Sequence, residues 1–142
     1  MYVRDAMNRD VPFVGPTHSL REAAGRMADH NVGAVVVIDP DGEGAGVVTE
    51  RNILKSLRAG EDPDREIVAT HLSAHVIAAE PSWSLERAAR VMVHHGWRHI
   101  VVCDGGDVAG IVSMRDIVRG WTAHDEAGPL ARLDDGGPTP VL

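Results

Sequence analysis

Ser19-Leu20-Arg21-Glu22-Ala23-Ala24-Gly25-Arg26-Met27-Ala28-Asp29-His30 is the stretch that decides the fold. It returns 65 positions later as Ser84-Leu85-Glu86-Arg87-Ala88-Ala89-Arg90-Val91-Met92-Val93-His94-His95. The repeat extends outward on both sides. Val3-x-x-x-Met7 reappears as Val68-x-x-x-Leu72, and Val36-Val37-x-Asp39 as Val101-Val102-x-Asp104. After one deleted residue in a turn, Gly46-Val47-Val48-Thr49-x-Arg51-Asn52-Ile53 becomes Gly110-Ile111-Val112-Ser113-x-Arg115-Asp116-Ile117. Two copies of one unit therefore span 3–58 and 68–122, joined by a linker at 59–67. A repeat this complete places the function in what two similar halves make together.

Each copy reads as a lead-in, then strand, helix, strand, turn, strand and helix, which is an α/β unit of the order β-α-β-β-α. Segment 11–14 is the first strand of copy one and 76–79 its counterpart. Ser19 caps a helix whose apolar positions Leu20, Ala23, Ala24 and Met27 recur at three- and four-residue spacing, and Glu22 is placed to close a capping box. Copy two keeps the stripe as Leu85, Ala88, Ala89 and Met92 but has Arg87 in place of that Glu, leaving Ser84 to cap without the reciprocal bond. The continuous apolar runs 34–38 and 100–103 read as strands buried on both faces, each followed by a turn rich in Gly and Asp. Short strands at 46–48 and 110–112 feed final helices carrying Ile53, Leu54 and Leu57, or Ile117, Val118 and Trp121. The linker contains Gly60, Asp62, Pro63 and Asp64, and the tail at 123–142 is expected to be a loosely held extension.

Composition narrows the readings. The chain has 142 residues, 44% hydrophobic and 25% charged, enough to bury one sizeable core. A formal charge of -7 leaves no general basic field for a phosphate backbone, so nucleic acid is not expected as a partner. No apolar run approaches the roughly 20 residues needed to cross a bilayer, and the first residues lack the apolar core of a signal peptide. The expected localisation is cytoplasmic, with no membrane attachment. Cys103 has no second cysteine to pair with. At the end of an apolar strand it reads as an inert thiol.

Residues with chemical content sit where the last strand of each copy meets its last helix. Ser113 and Asp116 in copy two, and Thr49 and Asn52 in copy one, place a hydroxyl and a second polar side chain beside the free N–H groups of a first helical turn. A phosphorylated sugar suits such a cradle. The Asp116 carboxylate can accept from both hydroxyls of a ribose, Ser113 can reach a ribose or phosphate oxygen, and Arg115 can neutralise phosphate, as can Arg51 in copy one. Asn52 carries no charge, so its site is expected to hold ribose less strongly. The same Ser-x-x-Asp spacing is also an ordinary capping pattern, and both arginines also read as solvated helix residues.

The whole order, occurring twice over about 115 residues, resembles the cystathionine β-synthase (CBS) domain family, whose motifs occur as tandem pairs. In size it is similar to free-standing tandem-CBS proteins, a group that includes hypoxic response proteins. The resemblance implies two pseudo-twofold related repeats forming a CBS pair. It also implies an adenosine-containing ligand (AMP, ADP, ATP or S-adenosylmethionine) in clefts between the repeats. By that resemblance Asp116 and Ser113 serve one cleft, and Asn52 and Thr49 the other. Adenine would rest near Val11 and Ala34 in the Asn52 cleft, and near Val76 and Ile100 in the Asp116 cleft. Arg98 and His99 of copy two stand where copy one has Gly33 and Ala34, adding phosphate contacts or obstructing a base. The Asp116 cleft is the favoured one.

The expected function is a regulatory, non-enzymatic module that requires no cofactor, signals through an unidentified protein partner or a dimer interface, and forms a homodimer through apolar helix faces. One alternative is a ligand-independent interaction module. Another is a metal-responsive protein using the eight histidines, among them His71 and His75 at i, i+4 and His94, His95 and His99 close together. The metal reading is set aside because His30 and His95 suit helix ends, while His71 and His75 lack a Cys or carboxylate at zinc-like spacing. No nucleophile elbow, Walker loop or His-Glu-x-x-His helix is present.

Overall fold

The computed structural model describes residues 1–39, 45–73 and 77–124. The expected turn at 40–44, His75, Val76 and nearly all of the expected tail lie outside the described residues. The chain begins with a short helix α1 (Val3–Ala6), followed by β1 (Phe13–Val14), α2 (Leu20–His30), β2 (Ala34–Ile38), β3 (Ala45–Thr49) and α3 (Glu50–Arg58). In the second copy a 3₁₀ turn at Val68–His71 takes the place of α1. It leads into β4 (Ala78–Ala79), α4 (Leu85–His95), β5 (His99–Asp104), β6 (Asp107–Ser113) and α5 (Met114–His124). This is the β-α-β-β-α order twice, in an α/β fold with two three-stranded sheets. Among the described residues no helix is long and apolar enough to cross a membrane.

Both sheets have the same topology. β1 runs parallel to β2 and β3 antiparallel to it, with Val14 opposite Val37 and Val36 opposite Val47. β4, β5 and β6 repeat this, with Ala79 opposite Val102 and Val101 opposite Ile111. β1 is shorter than the expected 11–14 strand. Pro12 has no N–H to add to the ladder and contributes only its carbonyl, which accepts from Val36.

Side chains alternate along a strand, and both faces of these strands are covered. Val35, Val37 and Val48 pack on the helices of copy one with Leu20, Ala23 and Met27. Ala34, Val36 and Val47 face the other way, against Val101 and Ile111 of the second sheet, with Val11 in the same cluster. Ile100, Val102 and Val112 complete the pattern on the helical side of copy two. This two-sided burial is why the runs 34–38 and 100–103 carry no polar alternation.

The lead-ins are exchanged. Val3 and Met7, at the start of copy one in sequence, lie in the core of copy two with Leu85, Ala88 and Met92. Val68, which opens copy two, lies in the core of copy one with Leu20 and Met27. Main-chain bonds fasten each exchange. Val3 donates to the carbonyl of Trp83 at 2.8 Å, and Asn8 and Ile111 bond reciprocally at 2.8 and 3.0 Å. Val68 donates to His18 at 2.9 Å and Ser73 to Val47 at 2.9 Å. Gly46 and Gly110, equivalent in the two sheets, let these segments come close. A Cβ at Gly110 would stand 2.7 Å from the Asn8 carbonyl oxygen, and one at Gly46 would stand 2.9 Å from the Leu72 side chain.

Helix starts follow the expected pattern with one change. Ser19 Oγ accepts from the Glu22 N–H at 3.1 Å, and Ser84 Oγ from Arg87 at 3.0 Å. The Glu22 carboxylate does not close a capping box; it turns to His18 at 3.6 Å. The imidazole one turn back, held by the Gly15 N–H donating to its Nδ1 at 2.7 Å, competes with a bond to the chain.

Candidate functional site

The closed capping boxes stand instead at the strand-to-helix junctions of β3–α3 and β6–α5. At the second, the Ser113 N–H donates to Asp116 Oδ2 at 2.8 Å and the Asp116 N–H donates to Ser113 Oγ at 3.1 Å. Asp116 Oδ1 faces the Arg119 guanidinium at 3.6 Å, and the carboxylate is only 13% exposed. At the first, the Thr49 N–H donates to Asn52 Oδ1 at 2.8 Å. The Thr49 hydroxyl donates to the same oxygen at 2.9 Å, and the Ser73 hydroxyl at 3.2 Å. Three donors saturate the Asn52 carbonyl oxygen, so what it can still offer a ligand is its NH₂ group.

Each junction opens onto a cleft walled by the opposite copy. The Asn52 cleft, about 300 Å³, is lined by Thr49, Arg51, Asn52 and Lys55 together with Ser73, Ile77 and the 95–101 stretch that ends α4 and begins β5. The Asp116 cleft, about 1010 Å³, joins Ser113, Arg115, Asp116 and Arg119 to Asn8 and to residues 30–33 at the end of α2. Arginines bridge both clefts in the same way. Arg115 donates to the Asn31 carbonyl at 2.7 Å and Arg51 to the Gly96 carbonyl at 3.5 Å. Asn31 and Gly96 are the left-handed caps of α2 and α4, so each arginine reaches the negative end of the other copy's helix.

Arg98, His99 and Glu50 line both clefts. Arg98 approaches Glu50 at 3.9 Å, and the His99 ring lies over Gly33, where a Cβ would come within 2.9 Å of it. Burial pushes the His99 imidazole below its ordinary pKa, against the opposing pull of Glu50 and Asp116. In the Asp116 cleft, Arg98, Arg115 and Arg119 outnumber the acidic Glu50 and Asp116, which favours an anionic occupant.

The expected assignment of strand positions to clefts changes. Ile100 lines the Asn52 cleft, not the Asp116 cleft, because each junction faces the strand of the other copy. Val11 and Ala34 line neither cleft. They are buried in the core between the sheets, Ala34 completely. Arg98 and His99, expected in the Asp116 cleft, serve both. Val76 lies outside the described residues. The sequence reading did not name Asn8, Glu50, Lys55, Ser73 or Trp97. Trp97 stacks on His95 with ring centroids 4.3 Å apart, at the edge of the Asn52 cleft. Asn8, Ser73 and Trp97 sit beside the motifs only after the two copies have been brought face to face, whereas Glu50 and Lys55 lie on the same helix as Asn52.

His71 also acquires partners that its sequence spacing hides. Its Nε2 is 3.0 Å from Glu66 Oε2 and 3.8 Å from Glu61 Oε2, both from the segment between the copies. The expectation rested on spacing along the chain, and the fold brings to His71 two carboxylates that lie at no zinc-like spacing. Cys103 remains a thiol raised above its ordinary pKa by burial and by Asp107.

Known proteins frame this geometry. A protein of Methanopyrus kandleri is 34% identical over 119 residues, 82% of this chain and 61% of that longer protein. The CBS domain-containing protein YhcV of Bacillus subtilis is 33% identical over 130 residues, 89% of each chain. A CBS-domain protein of Agrobacterium tumefaciens superposes with a TM-score of 0.77 at 33% identity, over 84% of this chain and 92% of that one. Hypoxic response protein I, solved with two coordinated zinc ions, gives 0.69 at 31% identity over 84% and 98%. The CBS domain pair of protein MJ0100, solved with 5′-methylthioadenosine and S-adenosyl-L-methionine, shares the fold at 0.76 and 23% identity over 88% and 98%. The family model for the CBS domain matches twice, at residues 3–59 and 65–121, and the chain belongs to the CBS domain family as a tandem pair.

Proposed function

We propose that this CBS pair is a regulatory module, not an enzyme, that binds an adenosine-containing nucleotide between its copies and needs no resident cofactor. The observation that carries this reading is the Asp116 cleft. It combines a capped helix N-terminus, a carboxylate for ribose and three arginines for phosphate, all from copy two, with Asn8, residues 30–33 and Glu50 of copy one as the facing wall. The structure of the MJ0100 pair with two adenosine compounds supports the ligand class. A ligand touching both copies favours one relative arrangement of the halves, and that is the signal. The nucleotide would be AMP, ADP, ATP or S-adenosylmethionine, with Arg98, Arg115 and His99 on the phosphate side.

Thermal unfolding against each of these four compounds tests the reading. A ligand at about 100 times its dissociation constant stabilises by about 2.7 kcal/mol, a shift of several degrees for a domain of this size. No shift with any of them at millimolar concentration sinks it.

A second reading, a ligand-independent interaction module, is favoured by the saturated Asn52 oxygen and by apolar side chains left on the last helices. Leu54 and Leu57 on α3 are 66% and 50% exposed, and Val118 and Trp121 on α5 are 54% and 49% exposed. On either reading these faces are assigned to a homodimer or a protein partner, in the cytoplasm. Light scattering of wild type and Leu54→Glu/Val118→Glu tests the dimer: it predicts a loss of mass on substitution, and a wild-type monomer excludes it.

A further inference from the structure

We infer that Glu61, Glu66 and His71 form a binding site for a divalent transition-metal ion, separate from both clefts. The three side chains offer one imidazole nitrogen and two carboxylate oxygens, all within 4.8 Å of one another. The separations from His71 Nε2, 3.0 Å to Glu66 and 3.8 Å to Glu61, bracket the roughly 3.3 Å edge of a tetrahedron built on bonds of about 2.0 Å. Two carboxylates and one imidazole with open positions for water suit Zn²⁺, Co²⁺ or Mn²⁺.

The donors are held in place by the fold. The Glu61 N–H donates to the Ser56 carbonyl at 3.2 Å and the Glu66 N–H to Asp62 at 2.9 Å. The Glu66 carbonyl accepts from Leu20 at 2.9 Å, which pins this residue to the start of α2. His71 ends the 3₁₀ turn whose Val68 is buried in the core of copy one. The segment between the copies is thus a fastened element, and its Arg21–Asp64 ion pair fastens it further.

Charge supplies the reason for a cation. Glu61, Glu66 and His71 have side-chain exposures of 35%, 26% and 14%, so two carboxylates converge in a partly dry place beside a single imidazole. Like charges at this range repel, and an ion bound by all three groups removes the repulsion. His71 is followed two residues later by Ser73, which bonds to Asn52, so the ion would clamp a segment that forms part of the Asn52 cleft wall.

The experiment is a titration of the full chain with Co²⁺ near neutral pH, read by visible d–d absorption, with Zn²⁺ competition and thermal unfolding with and without EDTA. The expected result is one saturable equivalent, displaced by Zn²⁺. Affinity should fall about tenfold or more in His71→Gln, in Glu66→Gln and in Glu61→Gln, and be retained in the double variant His94→Gln/His95→Gln. Glu61 is the most exposed of the three, so Glu61→Gln keeps the test decisive if His71→Gln fails to fold. No saturable band, or a band that persists in Glu61→Gln and disappears in the His94/His95 variant, overturns the site. In that case the cluster is an ion triad of His71 with its two glutamates.

Discussion

The Asp116 carboxylate accepts the Ser113 backbone N–H at 2.8 Å through Oδ2, while its Oδ1 is left facing Arg119. The same residue therefore caps α5 and presents an ionised oxygen to the cleft. Two substitutions separate these roles. Asp116→Ala should lower the stability of the unliganded protein by about 1 kcal/mol, the value of a cap, and abolish most nucleotide-induced stabilisation. Asp116→Asn should keep the cap and lose much of the ligand effect, since the charge is gone. Urea unfolding and nucleotide-dependent melting measure both, and an unchanged nucleotide shift in Asp116→Asn contradicts the ribose assignment.

Asn52 should behave differently. Its carbonyl oxygen already accepts from Thr49 twice and from Ser73, so Asn52→Ala removes a structural hub. We expect a larger loss of unliganded stability than in Asp116→Ala, about 1–3 kcal/mol for three part-buried donors left unpaired, and a smaller loss of nucleotide stabilisation. Equal ligand effects from the two alanine variants would remove the ranking of the clefts.

The exchanged lead-ins predict an asymmetry between two equivalent glycines. Gly110→Ala forces a Cβ against the Asn8 carbonyl, backbone that the two-way bond to Ile111 holds in place, and should cost about 1–3 kcal/mol. Gly46→Ala meets only the end of the Leu72 side chain, which can turn aside, and should cost less. Denaturant midpoints of the two variants decide this.

The same exchange predicts where damage spreads. Val3 is fully buried among α4 and α5, so Val3→Ala should destabilise by about 1.5–3 kcal/mol. Amide exchange should accelerate more in α4 and α5 than in α2, although α2 is nearer in sequence. Faster exchange confined to α2 would mean that the first residues do not pack on copy two.

His99 predicts a pH dependence. Its folded pKa lies below the ordinary 6.5, chiefly through burial, so as pH falls the unfolded chain takes up this proton first. The stability contributed by neutral His99 is complete above about 6.5 and is lost as pH falls through the lower folded value. His99→Gln should flatten the fall in unfolding free energy between about pH 7 and pH 5 relative to wild type. Parallel curves would place the proton-sensitive groups elsewhere.

Much of this was legible in the chain because local rules and tertiary packing agree. Leu20, Ala23 and Met27 announce a helix with one buried face, and they are buried. The run 34–38 announces a strand covered on both sides, and β2 is covered on one side by helices and on the other by a second sheet. Glu22 misleads because Ser-x-x-Glu fits two geometries, and the nearby His18 takes the carboxylate. Ile100 misleads because a cleft between copies draws its walls from the opposite copy, and Val11 because the packing of the two sheets buries it; spacing within one copy carries no trace of either. Glu61 and His71 are ten positions apart, a distance that signals nothing until the intervening segment folds back.

By itself the sequence determined the two copies, the order of their elements, the faces that must be buried, and the polar pair at the start of each final helix. These follow from periodicity and capping, which act over a few residues. The tertiary structure alone decided that the lead-ins exchange partners, that each cleft is shared, that Asn52 is saturated while Asp116 keeps an oxygen facing the cleft, and that Glu61 and Glu66 meet His71. Those relations depend on how two near-identical sheets pack face to face, and that packing brings together residues whose separation along the chain has no local meaning.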